Sequence, residues 1–485
     1  MVVAVLDRTP AIGDDATAWR FLRSALTPAT PTAPDGHFDE WFARRCGANA
    51  FEVDRVPLTA LPGWHFDDGT GDLRHESGRF FTVAGLLART DPGWRAEWRQ
   101  PIILQPEIGT LGILAKEFDG VLHFLMQAKM EPGNATIVQL SPTVQATRSN
   151  YTGVHRGAAI KYLEFFAPGR HRVLVDSLQS EQGSWFLHKR NRNIVVETSD
   201  DVAVDDDFCW LTLGQILGLL RRENVVNMDS RTVVSCIPLP PEAPAGEGFA
   251  ASLRRSMSRE AEPLHPDGQV LSWLTGMRAQ HELIQQRIPL DAVLGGEWFR
   301  DDERIARRDG RFFSVIGVDV RASNREVRSW GQPLLAPARP GLVGLLVKRH
   351  RGVAHVLVQA RVEAGAAVVA ELGPSVHCQP DNYRDAEPGT RPAFLDWLLA
   401  VPAGRLHYDA VQSEEGGRFY HAVNRYVVAE ADEAVPDEAP DGYLWVTLRQ
   451  LTMLMPHGNY LNVELRSALV CVHSLWCAGS DDDES

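Results

Sequence analysis

The chain has 485 residues, of which 44% are hydrophobic and 23% are charged, and its formal net charge at pH 7 is −14. This composition is typical of a soluble globular protein, and the length is sufficient for two or three domains. The acidic balance argues against a nucleic-acid surface, which needs a basic stripe, but a few placed arginines can still bind a phosphorylated ligand.

The six cysteines form no CxxC pair and have no zinc-ligand spacing. Cys236 and Cys471 stand in apolar runs, so we expect buried thiols rather than disulfides. The N-terminal sequence lacks the pattern of a secretory signal, and no apolar run reaches 18 residues. We therefore expect a cytoplasmic protein without a membrane span.

Helical spacing of apolar residues predicts helices in both halves of the chain. These helices are predicted over residues 14–26, 38–48, 210–222 and 269–286. Short segments rich in β-branched and other apolar residues predict strands between them. The predicted strands cover residues 112–116, 121–130, 135–140, 160–166, 173–178 and 194–197, with a hairpin turn at Asp119-Gly120. The fold class predicted for each half is α+β, with mixed or antiparallel strands and a long helix packed on them.

The chain contains a long internal repeat. The block from Trp98 to Tyr151 aligns without a gap with the block from Trp330 to Tyr383, and 21 of the 54 residue pairs are identical. A repeat of more than 200 residues is too long for a solenoid unit and indicates two homologous domains. We expect a first domain over residues 1–237 with N-terminal helices, a linker over 238–263, and a second domain over 264–485 with an acidic tail.

No familiar catalytic motif is present, since the sequence has no Walker loop, no HExxH, no GxSxG and no GxGxxG between a strand and a helix. Polar residues that both halves retain are therefore the best indication of a pocket. One such group is a loop that follows a strand and combines hydrogen-bonding groups with a tyrosine ring. It comprises Thr147, Arg148, Ser149, Asn150, Tyr151 and Thr152 in the first half, and Gln379, Asp381, Asn382, Tyr383 and Arg384 in the second.

A second retained group combines a serine, a histidine and an Asn-Arg pair. It comprises Ser180, His188, Asn191 and Arg192, with Ser413, His421, Asn424 and Arg425 as counterparts. A tyrosine can stack on a nucleobase and an arginine can bind a phosphate through two hydrogen bonds, so the two groups together suit a nucleoside diphosphate. The alternative is that these residues only stabilise turns and strand ends through hydrogen bonds.

Several other residues admit both a functional and a structural role. Trp64 and Trp298 are expected at the mouth of a site, with ordinary domain packing as the alternative. We expect a structural role for His123 and His355 in mid-strand. The residue pairs that flank hairpins are expected to be solvated, and these are Lys116 with Lys348 and Glu131 with Glu363.

The segments TVQATRSNYTGVHRG (143–157), QSEQGSWF (179–186) and QSEEGGRF (412–419), together with the duplication, resemble the NDP-hexose 2,3-dehydratases of deoxysugar biosynthesis. The resemblance covers about residues 14–477. It implies two nucleotide-sugar pockets per subunit, a homodimer, and a Nudix-like fold in each half. The REuxEE box of Nudix hydrolases is missing, and the predicted helix at Trp210 carries no carboxylate cluster. A Mg²⁺-dependent hydrolase of nucleoside diphosphates is therefore disfavoured.

The family reaction acts on dTDP-4-keto-6-deoxy-D-glucose and implies no metal and no redox cofactor. A base removes the C3 proton, the C2 hydroxyl leaves as water, and the enol tautomerises to an unstable 3,4-diketo sugar that a downstream 3-ketoreductase consumes. Because both halves retain them near the predicted pocket loops, we hypothesise that Tyr383 and His421 transfer protons in the second half, Tyr151 and His188 in the first, and that Arg192 and Arg425 hold the diphosphate. A non-catalytic nucleotide-sugar-binding or scaffold protein is the alternative from another class.

Overall fold

The computed structural model describes residues 15–91, 97–147, 160–240, 247–323, 327–387 and 389–477. The first half is taken as the chain up to residue 240 and the second half as the chain from residue 247. The strands of the first half are β1 (Phe51–Val56), β2 (Trp64–Phe66), β3 (Leu73–His75), β4 (Thr82–Thr90), β5 (Glu97–Leu104), β6 (Gly109–Phe118), β7 (Val121–Met130), β8 (Val138–Ser141), β9 (Val144–Ala146), β10 (Arg172–Ser180), β11 (Arg190–Glu197) and β12 (Phe208–Thr212).

The second half repeats this order of strands. They are β13 (Leu283–Ile288), β14 (Trp298–Arg300), β15 (Arg304–Arg307), β16 (Phe313–Ala322), β17 (Ser329–Pro337), β18 (Gly341–His350), β19 (Val353–Arg361), β20 (Glu371–Gly373), β21 (Val376–Cys378), β22 (Leu406–Ser413), β23 (Val423–Glu430) and β24 (Tyr443–Thr447). The α-helices of the described residues are α1 (Asp15–Ala25), α2 (His37–Ala48), α3 (Leu213–Leu219), α4 (Met228–Ser235), α5 (Phe249–Met257), α6 (Asp267–Gln280), α7 (Leu395–Leu399), α8 (Leu448–Leu454) and α9 (Val463–Cys477).

Each half contributes one large mixed sheet of seven strands. In the first half the order is β10-β11-β6-β7-β12, with β9 on β6 and β8 on β7, and in the second half it is β22-β23-β18-β19-β20, with β21 on β18 and β24 on β19. Among the strands of the described residues, one pair in each of these sheets is parallel, namely β11 with β6 and β23 with β18. The α+β class and the repeated architecture predicted from the sequence are therefore confirmed.

The two halves exchange a strand through their smaller sheets. Strand β1 of the first half pairs with β16 of the second, and β13 of the second half pairs with β4 of the first. The crossing points require glycine, because a Cβ on Gly85 would lie 2.7 Å from the carbonyl oxygen of Pro289 and one on Gly317 would lie 2.8 Å from that of Val56. The halves are consequently interlocked rather than joined end to end.

Helices α1 and α5 occupy equivalent places on the two large sheets. Ser24 Oγ on α1 donates to the carbonyl oxygen of Leu122, and Ser256 Oγ on α5 donates to that of Ala354. Helix α5 lies inside residues 238–263, the segment that the sequence predicts as a linker. It packs on β19 of the second half as α1 packs on β7 of the first.

Three of the predicted elements are wrong in type or extent. Residues 210–212 belong to β12, and helix α3 starts only after Thr212, whose side chain forms a capping box with Gln215. Residues 163–166 form a 3-10 turn and not a strand. The helix predicted over 269–286 ends at Gln280, because the following residues pair with β4 as strand β13, a tertiary contact that the helical pattern does not contain.

Other expectations are confirmed. The turn at Asp119-Gly120 has both residues at positive φ, as a two-residue hairpin requires. Cys236 and Cys471 are free and buried thiols. His123 is buried, with one ring nitrogen 2.7 Å from Thr30 Oγ1 and the other 2.9 Å from the carbonyl oxygen of Val121, which is a structural role. Among the described residues, no helix is both long and apolar enough to cross a membrane.

Two fully buried arginines join the halves at the centre of the molecule. Arg231 on α4 donates to the carbonyl oxygens of Val226 (2.8 Å) and Ser413 (2.7 Å). Arg466 on α9 makes the equivalent bonds to Leu461 (2.7 Å) and Ser180 (2.6 Å). Each guanidinium therefore fixes one carbonyl of its own half and one of the other, and the distant carbonyl directly precedes a glutamate in both cases.

We predict that Arg466→Met destabilises the protein by about 3 kcal/mol, because the substitution leaves buried carbonyl groups without a donor. The matched control is Arg425→Met, which removes an exposed ion pair to Asp409 and is expected to cost less than about 1 kcal/mol. Urea unfolding midpoints of the two variants provide the measurement. Equal shifts in both variants would contradict a central role for Arg466.

Candidate active site

A cavity of about 940 Å³ lies in the first half and is completed by residues of the second. The first half supplies the ends of β7, β9 and β10 and the start of β11, and the second half supplies β17 and the loop after β22. The chemically active groups on its wall are Lys129, Glu131, Gln145, Glu181, Lys189, Asn191, Asp229, Glu415 and Arg418. This volume lies in the range of small-molecule sites.

Besides Glu107, four carboxyl groups converge on this cavity from different elements. Glu131 follows β7, Glu181 follows β10, Asp229 stands in the first turn of α4, and Glu415 follows β22. Glu131, Glu181 and Asp229 are each at least nine-tenths buried. A Cβ on Gly417 would lie 2.5 Å from Glu415 Oε1 and 3.6 Å from Glu131 Oε1, so these two carboxyls flank the same point of the backbone.

The burial of these acids changes their protonation. Removal from water raises the pKa of Glu415 to about 7, with Arg418 opposing the shift and Glu131 and Glu181 adding to it. The pKa of Asp229 is raised well above its ordinary value by burial and then by the neighbouring carboxylates. At neutral pH the site therefore holds one acid, Glu415, that is close to half-ionised, and another, Asp229, whose protonated form is favoured by burial.

Two lysines stand among the carboxyls. Lys129 Nζ donates to Gln145 Oε1 (2.6 Å) and lies 3.4 Å from Glu131, while Gln145 Nε2 donates to Glu131 Oε1 (2.9 Å). Lys189 Nζ donates to the carbonyl oxygen of Glu107. Burial lowers the pKa of Lys189 to about 8, with Glu181 opposing the shift. Positive charge is thus available inside the cavity to stabilise an oxyanion.

Asn191 fixes the orientation of Glu181. Its Nδ2 donates to Glu181 Oε1 (2.8 Å), and its Oδ1 accepts from the backbone N–H of Gly109 (3.0 Å). The same motif recurs in the second half, where Asn424 donates to Glu414 (2.7 Å) beside Gly341. The retained asparagine therefore orders a carboxylate in each half.

The equivalent region of the second half has different chemistry. Arg361, His377 and Glu464 stand where the first half has Lys129, Gln145 and Asp229. Glu363, His377 and Glu464 bring one potential metal ligand each to within 4.8 Å. The guanidinium of Arg361 already lies 3.1 Å from Glu363, so a positive charge is present at this place and we assign no metal to it.

Three of the predicted substrate-binding residues line the cavity, namely Trp64, Thr147 and Asn191. Residues Arg148, Ser149, Asn150, Tyr151 and Thr152 lie outside the described residues. Trp298, the counterpart of Trp64, is buried, and its Nε1 donates to the carbonyl oxygen of Arg99 (2.9 Å).

The second retained group is dispersed. Ser180 and Ser413 are buried between the halves, where they donate to Glu371 (2.9 Å) and Gln139 (2.8 Å). Arg192 and Arg425 form two-bond ion pairs with Asp176 and Asp409 on the sheet surface. His188 and His421 are exposed; His188 Nε2 lies 2.8 Å from Gln285 Oε1, and His421 stacks on Tyr420. These six residues do not line the cavity.

The loop predicted around Tyr383 is a 3-10 turn over Pro380–Tyr383 in the second half. Asn382 Oδ1 accepts from the backbone N–H of Phe312 (3.3 Å), and Gln379 Oε1 accepts from Asn382 Nδ2 (3.2 Å). Asp381 pairs with Arg384 (2.9 Å). Tyr383 is half-buried against the apolar cluster of this half.

The expectation that Glu131 and Glu363 are solvated is wrong, because both are buried. Sequence reasoning also missed Asp229, Lys189, Glu415 and Arg418. A signal was available in the repeat: Glu415 aligns with Gln182, Arg418 with Trp185 and Lys189 with Ala422. Selecting residues that both halves retain discards those that only one half has acquired.

The family profile described as NDP-hexose 2,3-dehydratase matches residues 35–237 and 267–472. Three relatives carry the name dTDP-4-dehydro-6-deoxy-alpha-D-glucopyranose 2,3-dehydratase. The protein from Saccharopolyspora spinosa is 49% identical over 467 residues, covering 95% of this chain and 96% of the relative. Those from Amycolatopsis orientalis and Streptomyces violaceoruber are each 50% identical, covering 93% and 90% of this chain and 93% and 97% of the relatives.

The class that the two matched regions define is that of the sugar-nucleotide dehydratases, which are hydro-lyases. The chain belongs to the NDP-hexose 2,3-dehydratase family. The resemblance seen in the sequence is thereby confirmed.

We predict that the free energy of unfolding of the Glu415→Gln variant increases, relative to that of the unchanged protein, as pH rises. The folded-state pKa is raised from 4.5 to about 7, so the stability that the protonated carboxyl contributes is complete below about pH 4.5 and is lost as pH rises through 7. The neutral amide of the Glu415→Gln variant does not titrate, so its contribution to stability does not change with pH. Between pH 5 and pH 8 the difference in unfolding free energy should change by about 1–2 kcal/mol, allowing for solvent screening.

Urea unfolding of both proteins at the two pH values measures this difference. Glu223→Gln, at an exposed position, controls for the loss of one negative charge. A difference that stays constant with pH would show that the Glu415 carboxyl is not protonated at neutral pH.

Proposed function

We propose that the chain catalyses the 2,3-dehydration of dTDP-4-keto-6-deoxy-D-glucose, and that the cavity of the first half is its active site. The named relatives support the substrate and the reaction. The observation that carries the assignment of the site is the convergence of four carboxyls and two lysines on one cavity of about 940 Å³. The product is the 3,4-diketo-2,6-dideoxy sugar nucleotide.

The reaction needs a base, an acid and a group that stabilises negative charge. The C4 ketone acidifies the C3 proton, and ionised Glu415 removes it, since a pKa of about 7 suits a base that works near neutral pH. Electron density moves to the C4 oxygen, where Lys129 stabilises the enolate. The enolate then re-forms the C4 ketone and makes a C2=C3 double bond as the C2–O bond breaks, and protonated Asp229 donates to the departing C2 hydroxyl, which leaves as water. The resulting C3 enol returns a proton to C2 and becomes a ketone.

The remaining wall suits the nucleotide part of the substrate. Trp64, Phe81 and Trp330 offer aromatic surfaces for the base and the sugar. Arg79, which is exposed on the cavity wall, can reach a diphosphate from the solvent side. The guanidinium of Arg418 lies 4.4 Å from the ring centre of Phe81, so the two residues form one continuous part of the wall.

Finer features implied by the resemblance are proposed as well. Each half is Nudix-like, with the domain division 1–237, 238–263 and 264–485, and the chain forms a homodimer. The protein acts in the cytoplasm without a metal or redox cofactor, and a 3-ketoreductase consumes its product. The duplicated mixed sheets support the first of these features. The cation-rich interior of the cavity supports oxyanion stabilisation by the chain's own side chains.

The proposed function predicts that Glu415→Gln and Asp229→Asn each lower kcat by about 100-fold or more, the usual contribution of a proton-transfer group. Purified protein is incubated with the substrate, a 3-ketoreductase and NADPH to trap the unstable product, and mass spectrometry follows the loss of water. In the unchanged enzyme, kcat/KM should rise through about pH 7 as Glu415 ionises.

The matched controls are Glu464→Gln, on the second half, and Gln182→Met, on the first-half loop that faces the equivalent site of the second half. They are expected to keep kcat within about threefold of the unchanged enzyme if the first-half cavity is the active site. Loss of activity in Glu464→Gln, with Asp229→Asn active, would move the site to the second half. Unchanged substrate, with binding intact, would favour the non-catalytic binding or scaffold protein.

The hypothesis from the sequence, with Tyr383 and His421 as proton-transfer groups of the second half, stays a prediction and has its own test. Tyr383→Phe and His421→Ala should each lower turnover by about 100-fold if these side chains transfer protons. Turnover that persists in both variants would refute this version. His188→Ala tests the described member of the first-half pair in the same assay.

A further inference from the structure

The loop that carries Glu415 and Arg418 belongs to the second half but faces the cavity of the first. Its tip docks on the first half, where the backbone N–H of Gly133 donates to the carbonyl oxygen of Gly416 (2.8 Å). A Cβ on Gly416 would lie 1.9 Å from Asn134 Oδ1, so the approach is as close as a glycine permits. The position of Glu415 therefore depends on contacts that hold this loop across the boundary between the halves.

One side chain of the second half holds the loop from the opposite side. Gln332 Nε2 donates to the carbonyl oxygen of Gly417 (2.8 Å), and Gln332 Oε1 accepts from Trp330 Nε1 (2.8 Å). The neighbouring carbonyl oxygen of Gly331 accepts from Trp64 Nε1 (2.8 Å). Trp330 thus orients the amide of Gln332, which is almost fully buried. The residue before it, Gly331, accepts the hydrogen bond that holds Trp64.

The duplication supplies the same arrangement a second time without the reactive groups. Gln100 Nε2 donates to the carbonyl oxygen of Ser184 (2.8 Å), and Gln100 Oε1 accepts from Trp98 Nε1 (3.0 Å). The loop held there carries Gln182 and Trp185 at the positions of Glu415 and Arg418. An identical clamp therefore holds a proton-transfer candidate in one half and an amide that cannot titrate in the other.

We propose that Gln332 is a positioning residue of the dehydratase site, which acts through the backbone of Gly417 to hold the Glu415 carboxyl at the reacting carbon. This inference rests on the proposed function. The alternative is that both glutamines serve only the stability of the loops, in which case Gln332 and Gln100 should behave alike.

The alignment of a base with a C–H bond is sensitive to displacement, and a shift of about 1 Å can cost about 100-fold in rate. Gln332→Met keeps the volume of the side chain and removes the donor to Gly417. We expect it to lower kcat by about 10-fold or more with little change in KM. We also expect the pH at which kcat/KM is half-maximal to fall, because a released loop exposes Glu415 to water and removes the burial that raises its pKa.

Gln100→Met is the matched control and should leave kcat, KM and the pH profile within about twofold of the unchanged enzyme, since its loop bears no reacting group. A double-mutant cycle separates positioning from general loosening. In the Glu415→Gln background, Gln332→Met should have no further effect on kcat, since the residue through which it acts is gone.

The outcomes distinguish the two claims. If Glu415→Gln lowers kcat by about 100-fold while Gln332→Met and Gln100→Met have equal effects, the positioning role is overturned and the proposed site stands. If Gln332→Met still lowers kcat in the Glu415→Gln background, or raises KM alone, the glutamine contacts substrate or supports the fold and the inference fails. If Glu415→Gln keeps full activity, the proposed site itself fails.

Discussion

Two guanidinium groups buried between the halves hold the backbone beside the cavity in place. A buried charge is costly to remove from water, and Arg231 and Arg466 are tolerated because carbonyl oxygens, and for Arg231 also Glu414 at 3.9 Å, surround them. Each guanidinium reaches the carbonyl of the serine that precedes a glutamate of the other half, Glu181 or Glu414. This contact across the halves fixes the backbone at Ser180 and Ser413. It therefore also fixes the orientation of Glu181 and Glu414, which follow these serines.

Because the frame is symmetric while the cavity walls are not, the two halves could diverge in chemistry without loss of the fold. The retained residues hold strands and loops: Asn191 and Asn424 order a carboxylate beside a glycine, and Gln100 and Gln332 clamp a loop. The residues on the cavity walls make fewer of these structural hydrogen bonds. Lys189 aligns with Ala422, and Glu415 aligns with Gln182. These differences change the chemistry of a cavity and leave the hydrogen bonds of the retained asparagines and glutamines intact.

The sequence was informative where local patterns determine structure. The duplication, the helices near residues 14–26 and 38–48, the β6–β7 hairpin and the buried thiols all follow from spacing and turn chemistry. It failed where a distant contact decides. Residues 283–288 form a strand because β4 lies beside them, and residues 210–212 pair with β7 as part of β12 before the capping Thr212 starts a helix. The candidate site could be predicted only in part. Trp64, Thr147 and Asn191 do line the cavity, but Glu415 and Arg418 enter it from the other half, an arrangement that depends on strand exchange and interlocked loops.

The charge pattern explains why one half is better suited to elimination than the other. A site that takes a proton and then gives one needs two carboxyls with different pKa values near one substrate. In the first half, burial raises the pKa of Glu415 to about 7 and also raises that of Asp229, while Lys129 lies beside Glu131 and can favour an enolate. In the equivalent site of the second half, Gln182 of the facing first-half loop cannot accept a proton, burial raises the pKa of Glu464, and burial with the neighbouring Arg361 lowers that of His377. That site retains an acid but has no carboxyl at the place of Glu415, so it lacks the pair of groups that the proposed elimination uses.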